Sequence, residues 1–544
     1  MMPISVNKFL ISQRNAGYSI TEAIAEIADN SIQAEANYFQ IDKVMDGKSV
    51  SKIIFSDDGC GMPLDILHKY LVMGESSNWL SNSFIGKFGV GAKVSAYCQC
   101  QKITVYSRIK GTNDFYSTSY DLENIIGNNE IVGISEPVKT EIPNDVNLLV
   151  RDDANTIVVW EKFDLLAKRS SSAMDNEIRC ELGRMFRRFI YAGFEIQFNG
   201  ELIKAFDPTF QLRETYNDEI LSKVYLGEHK RPQHFEPQYF AQDLVLVSDG
   251  EEKVTLSVTL MPKEVTRTPG KGGDQLARAL RLKKNQGRIT YLRAGREIGY
   301  DSYHNCLGRA SIAEDRFIGI EIKFNGHFDS EFGTKMIKRG VEPSPSMKKR
   351  ITEALKLYVP IANKVLRQRW DGKTESVDFE ASEKALERME SVFSALSRAE
   401  SNTSEKVAER MTKLLSLAKE VGISDKNEYL ERKSSRPFVI EEVDSLLNDT
   451  FLDFEANTQQ ILIRINKSHA IYRTVWLPMH QISGMNASEL ELMDPSQAAK
   501  HSLQSLNLMI IAFAKVNEEN DASEFMNNWS KKLETLIRQI EISK

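Results

Sequence analysis

The chain has 544 residues, 41% of them hydrophobic and 27% charged, with a net charge of −6 at pH 7. That is an ordinary globular make-up with room for about three or four domains of roughly 150 residues each, and it excludes a global attraction for nucleic acid. Five scattered cysteines without zinc spacing argue against a disulfide framework and suit a cytoplasmic setting, or a nuclear one in a eukaryote; with no apolar run near ~18 residues and no signal-peptide pattern, no membrane partner is expected.

Ile20, Ala23, Ile24 and Ile27 recur at helical steps, which predicts a helix over Thr21–Ala34 with one buried face. Ser19-x-x-Glu22 reads as its capping box. Glu26 and Asn30 stand one turn apart, on the side away from the isoleucines. A carboxylate above an amide suits a site where one activates water and the other holds a hydrated metal ion; the alternative is a solvated polar face. Strands are expected over Tyr38–Val44 and Ser51–Ser56, around the turn Asp46-Gly47-Lys48.

The second strand runs into Asp57-Asp58-Gly59-Cys60-Gly61-Met62-Pro63. Two glycines one residue apart let the backbone turn tightly and approach a ligand, and an aspartate at a strand end can accept from a flat donor such as an exocyclic amine. A plain β-turn is the alternative. Then come Gly74-Glu75-Ser76-Ser77 and Ile85-Gly86-Lys87-Phe88-Gly89-Val90-Gly91-Ala92-Lys93. The latter is neither a Walker A loop nor a Rossmann turn. A glycine-rich loop opening a helix, here expected over Gly91–Cys100, still offers backbone N–H groups to phosphate, and Lys87 and Lys93 add charge.

The three motifs follow one another within about 70 residues. Their type, order and spacing resemble the Bergerat ATP-binding fold shared by gyrase, heat-shock chaperones, histidine kinases and MutL. Ala-Glu-Ile-Ala-Asp-Asn-Ser-Ile-Gln-Ala is similar to the MutL and MORC helices, and the Gly-Glu-Ser-Ser and Ile-Gly-Lys-Phe-Gly-Val-Gly-Ala-Lys stretches are similar to the MORC lid. The resemblance implies ATP and Mg²⁺ as cofactors. It makes Glu26 the general base and Asn30 the magnesium ligand. Asp57 would accept from the adenine amine, with Gly59, Gly61 and Met62 around the base. Ser76, Ser77 and Gly86–Gly91 (Gly86, Lys87, Phe88, Gly89, Val90, Gly91) would form the lid, with Lys93 beside it. The strand-like stretch Asn155–Trp160 offers Thr156 as the partner of Asp57 around adenine; a buried strand threonine is the alternative. Helix Asn176–Ala192 and strand Phe194–Phe198, ending at Asn199-Gly200, would close this domain.

Beyond residue 205, Leu244–Ser248 and Val254–Met261 flank the hairpin turn Asp249-Gly250. Residues 263–296 hold ten lysines and arginines, including Arg267, Lys271, Arg281, Lys283, Lys284, Arg293 and Arg296, against only Glu264 and Asp274. This is either a phosphate-backbone surface with salt-sensitive affinity or a solvated face with a loop. Arg288–Tyr300 reads as strand, turn, strand, and Phe317–Phe324 as another strand. In the relatives a ribosomal-protein-like second domain sends a lysine to the γ-phosphate; Lys338 matches, with Lys335 as the close alternative, ahead of the helix Ser346–Trp370.

The pattern from Ser376 to about Ala418 predicts a helical hairpin or coiled-coil arm, with Val407, Met411, Leu414 and Leu415 as one stripe. Lys426–Pro437 reads as a linker, Thr458–Ile465 as a strand, and Pro495–Val516 and Glu524–Ile542 as helices. The expected fold is α/β: a Bergerat sandwich over 1–205, a transducer-like domain over 206–375, a helical arm over 376–435 and a C-terminal region over 436–544. The function implied is a slow Mg²⁺-dependent ATPase and ATP-gated homodimeric clamp on DNA, in repair, silencing or defence against foreign DNA. A protein-remodelling chaperone of the heat-shock type is the alternative; partner proteins are not specified by the residues.

Overall fold

A computed structural model describes residues 14, 17–72, 91–122, 136–164, 171–227, 230–266, 275–333, 340–371, 404–423, 506 and, with short interruptions, 425–480. The chain divides into two compact units, residues 1–238 with 242–351 and residues 239–241 with 352–544.

In the first unit, helix α1 (Ile20–Gln33) starts at Ser19, whose hydroxyl and the Glu22 carboxylate complete the expected capping box. Strands β1 (Tyr38–Asp46) and β2 (Ser49–Asp57) form a hairpin through Gly47, at φ 57°. Helices α2 (Leu64–Tyr70) and α3 (Gly91–Tyr97) follow, then β3 (Cys100–Ser107), β4 (Tyr116–Asp121), β5 (Val138–Lys139) and β6 (Thr156–Phe163). Helices α4 (Ser171–Met185) and α5 (Arg187–Tyr191) lead to β7 (Glu195–Phe198) and β8 (Glu201–Leu202). The eight strands run in the order β5-β4-β3-β6-β2-β1-β7-β8, antiparallel but for β1 with β7. One face buries α1 and α4: Ile24 and Ile27 meet Phe39, Phe55, Trp160, Ile178 and Leu182 in one core. The Phe55 and Trp160 rings meet edge to face at 4.7 Å, a contact of cross-strand neighbours on a sheet.

Two sequence boundaries move. The helix expected over Gly91–Cys100 ends at Tyr97, because Cys100 already pairs with Phe163 in the sheet. The helix expected over Asn176–Ala192 begins at Ser171 and breaks at Phe186, whose ψ of 13° leaves the helical range while its ring stays buried.

Helix α6 (Tyr216–Tyr225) precedes a second sheet of β9 (Gln238–Asp249), β10 (Glu252–Leu260), β11 (Arg288–Arg293), β12 (Arg296–Ser302) and β13 (Ile318–Phe324), with short helices α7 (Gln275–Ala279) and α8 (Leu282–Asn285) before β11. The order is β12-β11-β13-β10-β9, with β11 and β13 parallel. Both predicted hairpins form. Gly250 turns the first at φ 60°, and Ala294 and Gly295 turn the second at φ 48° and 82°, as a two-residue turn requires.

Arginines of α4 and α5 reach this second sheet. The Arg187 side chain, fully buried, donates to Glu297 at 2.7 Å and to Glu321 at 2.8 Å. These partners change the reading of the basic stretch 263–296. Arg293 is buried against Asp329 at 2.6 Å and Arg296 against Asp29 at 2.9 Å, while Arg281 and Lys284 both pair with Glu181. Arg281, Lys284, Arg293 and Arg296 thus already have carboxylate partners, and a paired cation adds less to phosphate binding than an unpaired one. Lys283 stays exposed; Arg267 and Lys271 lie outside the described residues.

Helix α9 (Pro345–Trp370) follows. In the second unit, α10 (Ser404–Glu420) and α11 (Lys426–Lys433) share a core with the strands β14 (Phe438–Val443) and β16 (Gln460–Asn466), with β15 (Leu452–Asn457) completing a sheet of order β14-β16-β15. Lys426–Pro437 is therefore not a linker: Asp425 caps α11 by accepting from Asn427 and Glu428, and Tyr429 enters the core. Leu414 is buried as the stripe predicts, Leu415 faces outward, and Leu417 and Ala418 complete the apolar face. The line drawn at 435/436 from sequence passes through this core. The helical pattern of 376–403 and the helices expected over 495–516 and 524–542 lie outside the described residues, but for the isolated Leu506. Among the described residues, no helix is long and apolar enough to cross a membrane.

Candidate nucleotide site

Helix α1 is covered on both sides. Its isoleucines meet the sheet, and Glu26 on the opposite side is only 8% exposed, so Glu26 does not belong to a solvated face. It lines a polar cavity of roughly 330 Å³ together with Glu22, Arg184, Arg296, Asp301 and Gly340. One turn further, Asn30 is half-buried and shares a side-chain hydrogen bond with Tyr70 of α2. Burial pushes the Tyr70 phenol up to about 12, and the Asn30 contact pulls it partly back. Tyr70 was not foreseen; nothing local ties a tyrosine on one helix to an amide on another.

The other end of the candidate site is built where β2 and β6 finish side by side. Asp57 and Thr156 are directly paired across these strands. Asp57 accepts from the Ser31 hydroxyl at 2.8 Å and from the Gly59 amide at 3.0 Å. Desolvation raises its pKa to about 6 despite those two donors, with Asp58 nearby adding to the rise. A carboxylate has room for about four hydrogen bonds, so a third donor fits here. Asp58 turns the other way. Burial raises its pKa, but the Asn37 side chain and the amides of Tyr38 and Asn37 outweigh that and hold it below the ordinary range.

The glycines are required by contact. A side chain on Gly59 would come within 2.6 Å of the Ala34 Cβ. One on Gly61, at φ 70°, would lie 1.8 Å from the Arg108 carbonyl oxygen. The loop is pinned from both sides, with Cys60 donating to Ala34 O at 2.9 Å and Lys110 donating to Cys60 O at 3.0 Å. Met62 N donates to Ser107 Oγ at 2.9 Å, and that hydroxyl is 3.4 Å from the Thr156 hydroxyl. Thr156 thus reaches the loop through Ser107. Asn155 donates to the carbonyls of Asp58 and Gly59 at 3.2 and 2.9 Å, so the turn is braced by a residue that sequence reasoning passed over beside Thr156. The adjacent Asp-Gly turn and strand end were the signal for it.

The structure thus sets Glu26 and Asn30 along α1 and ties Asp57 and the Gly59–Gly61 turn to the C-terminal end of that helix through Ser31 and Ala34, with Thr156 paired to Asp57 and Met62 joined to it through Ser107. Gly91 opens α3. Ser76, Ser77, Gly86, Lys87, Phe88, Gly89 and Val90, the Lys93 side chain, and Lys335 and Lys338 lie outside the described residues. Among the described residues, no group of three or more His, Cys, Asp or Glu is arranged to hold a metal. A magnesium ion bound through phosphates needs few protein ligands, which an amide such as that of Asn30 suits.

Residues 18–156 match the family described as "Histidine kinase-, DNA gyrase B-, and HSP90-like ATPase". A stretch of 77 residues is 44% identical to Protein MICRORCHIDIA 3 of Arabidopsis thaliana. That stretch makes up 13% of this chain and 13% of the plant protein.

Proposed function

We infer, from a Bergerat-type ATPase domain at residues 18–156 that lies near the MORC group, that this protein binds Mg²⁺-ATP and hydrolyses it slowly. The observation that carries the reading is the Asp57 carboxylate, buried at a strand end beside a glycine turn and short of donors, on the same helix neighbourhood as Glu26 and Asn30. Asp57 would accept from the adenine amine, and Gly59, Gly61 and Met62 would bound the base. Asn30, steadied by Tyr70, would face the phosphates. Magnesium, when bound, would supply charge neutralisation there. Glu26 would take the proton from the attacking water; it is 8% exposed and lines a cavity of roughly 330 Å³, which is large enough to admit water. Gly340, the first described residue after 334–339, lines that cavity, which supports a lysine from this loop, Lys338 or Lys335, reaching the terminal phosphate.

At the level of the whole chain we propose an ATP-gated homodimeric clamp on DNA, with 1–205 as nucleotide domain, 206–375 as transducer and 376–544 as the arm together with the dimerisation or partner region. Ser76, Ser77, Gly86–Gly91 and Lys93 would cover bound ATP and pair two subunits. The test is Glu26→Gln. Calorimetry should give an ATP dissociation constant within about threefold of wild type, while turnover drops by about 100-fold or more. Undiminished turnover rejects Glu26 as base, and absence of ATP binding in the wild type rejects the reading as a whole.

A further inference from the structure

Strand β12 stands at the edge of the second sheet, and its two ends hold two different parts of the unit. At its first residue, Arg296 Nε donates to Asp29 Oδ1 at 2.9 Å, with both side chains almost wholly buried. The guanidinium lies over the Phe186 ring, 4.4 Å from its centre. The next residue, Glu297, takes Arg187 at 2.7 Å and also pairs with Arg184. Near the other end, Asp301 accepts from the Val341 amide at 3.2 Å, and a side chain on Gly299 would sit 2.9 Å from Val341. Val341 directly follows Gly340, where the chain returns from the stretch that carries Lys335 and Lys338. On α1, Asp29 comes three residues after Glu26 and directly before Asn30. Arg296, Asp301, Gly340 and Glu26 line one cavity.

Two charges buried as a pair cost desolvation that an apolar pair would avoid, so stability is a poor reason for them. A planar guanidinium held by a ring and a carboxylate accepts one orientation only, and so fixes the rotation of the helix it grips. We propose that Asp29 and Arg296 are positioning residues: by gripping α1 at Asp29, the first residue of β12 fixes the rotation of that helix and so the aim of Glu26 into the cavity that Arg296 and Asp301 also line. The inference rests on Glu26 being the base. It predicts that the pair acts on turnover rather than on ATP affinity, since neither side chain is part of the adenine end.

The test compares Asp29→Asn, Arg296→Gln and the double variant, with Glu26→Gln run alongside. Each single variant should lower kcat by about tenfold or more, with the ATP dissociation constant within about threefold, and the double variant should be no slower than the slower single one. Unchanged kcat, effects that multiply in the double variant, or a loss of ATP affinity that matches the loss of kcat would overturn the proposal. If the single variants do not fold, Arg296→Lys keeps the charge and removes the fork: lower kcat at unchanged affinity supports the pair, and unchanged kcat overturns it. A Glu26→Gln enzyme that still turns over would reject the base itself, a result read independently of the other variants.

Discussion

Asp57 carries two opposed demands. Its burial favours the neutral acid, while an incoming amine donor would favour the carboxylate. The folded-state pKa of about 6 lies above the ordinary value of 3.8, so this group's contribution to stability is complete below about pH 4 and is lost as pH rises through about 6. The loss amounts to up to about 3 kcal/mol by about pH 7. Asp57→Asn should remove that slope: in nucleotide-free thermal melts the variant gains on wild type as pH rises from about 4 to about 7. The same variant should bind ATP about 10- to 100-fold more weakly, the loss expected for one hydrogen bond to a charged acceptor. An unchanged dissociation constant by calorimetry would remove the adenine role of Asp57. The motif spacing made Asp57 legible. Its state of protonation was not, because that depends on Ser31 and on a wall of neighbours from other elements.

The turn after β2 shows what an element adds. Gly59 and Gly61 were legible as turn residues, since two close glycines permit a backbone that other residues resist. Which atoms they make room for is set by strand β3 and its extension, through Arg108 and Lys110. Gly61→Ala combines a positive φ with a side chain aimed at the Arg108 carbonyl, and should destabilise by more than about 2 kcal/mol. Denaturant melts check this, and bound ATP should no longer raise the melting temperature as in wild type. Elsewhere local pattern misled. Lys426–Pro437 has the composition of a linker, yet Asp425 caps a helix there and Tyr429 reaches a core. A single aromatic on a charged stretch is too weak a periodic signal to outvote its neighbours.

For the whole molecule, the clamp proposal predicts a change of mass. With a non-hydrolysable ATP analogue the protein should move from monomer towards dimer by light scattering, and the shift should vanish in Asn30→Ala. A mass that ignores nucleotide would remove ATP gating. DNA binding, if it uses what is left of the basic stretch, should weaken with salt and further in Lys283→Glu, because Arg281, Lys284, Arg293 and Arg296 already have carboxylate partners. The nucleotide domain was readable from the chain because each motif works over a few residues of one helix, strand or turn, where spacing is geometry. Glu26 and Asn30 are neighbours in any helix, whatever surrounds it. The link between Asp29 and Arg296 joins residues 267 positions apart. Only the packing of the second sheet against α1 decides it, since a charge in sequence carries no mark of whether water or a buried partner will meet it.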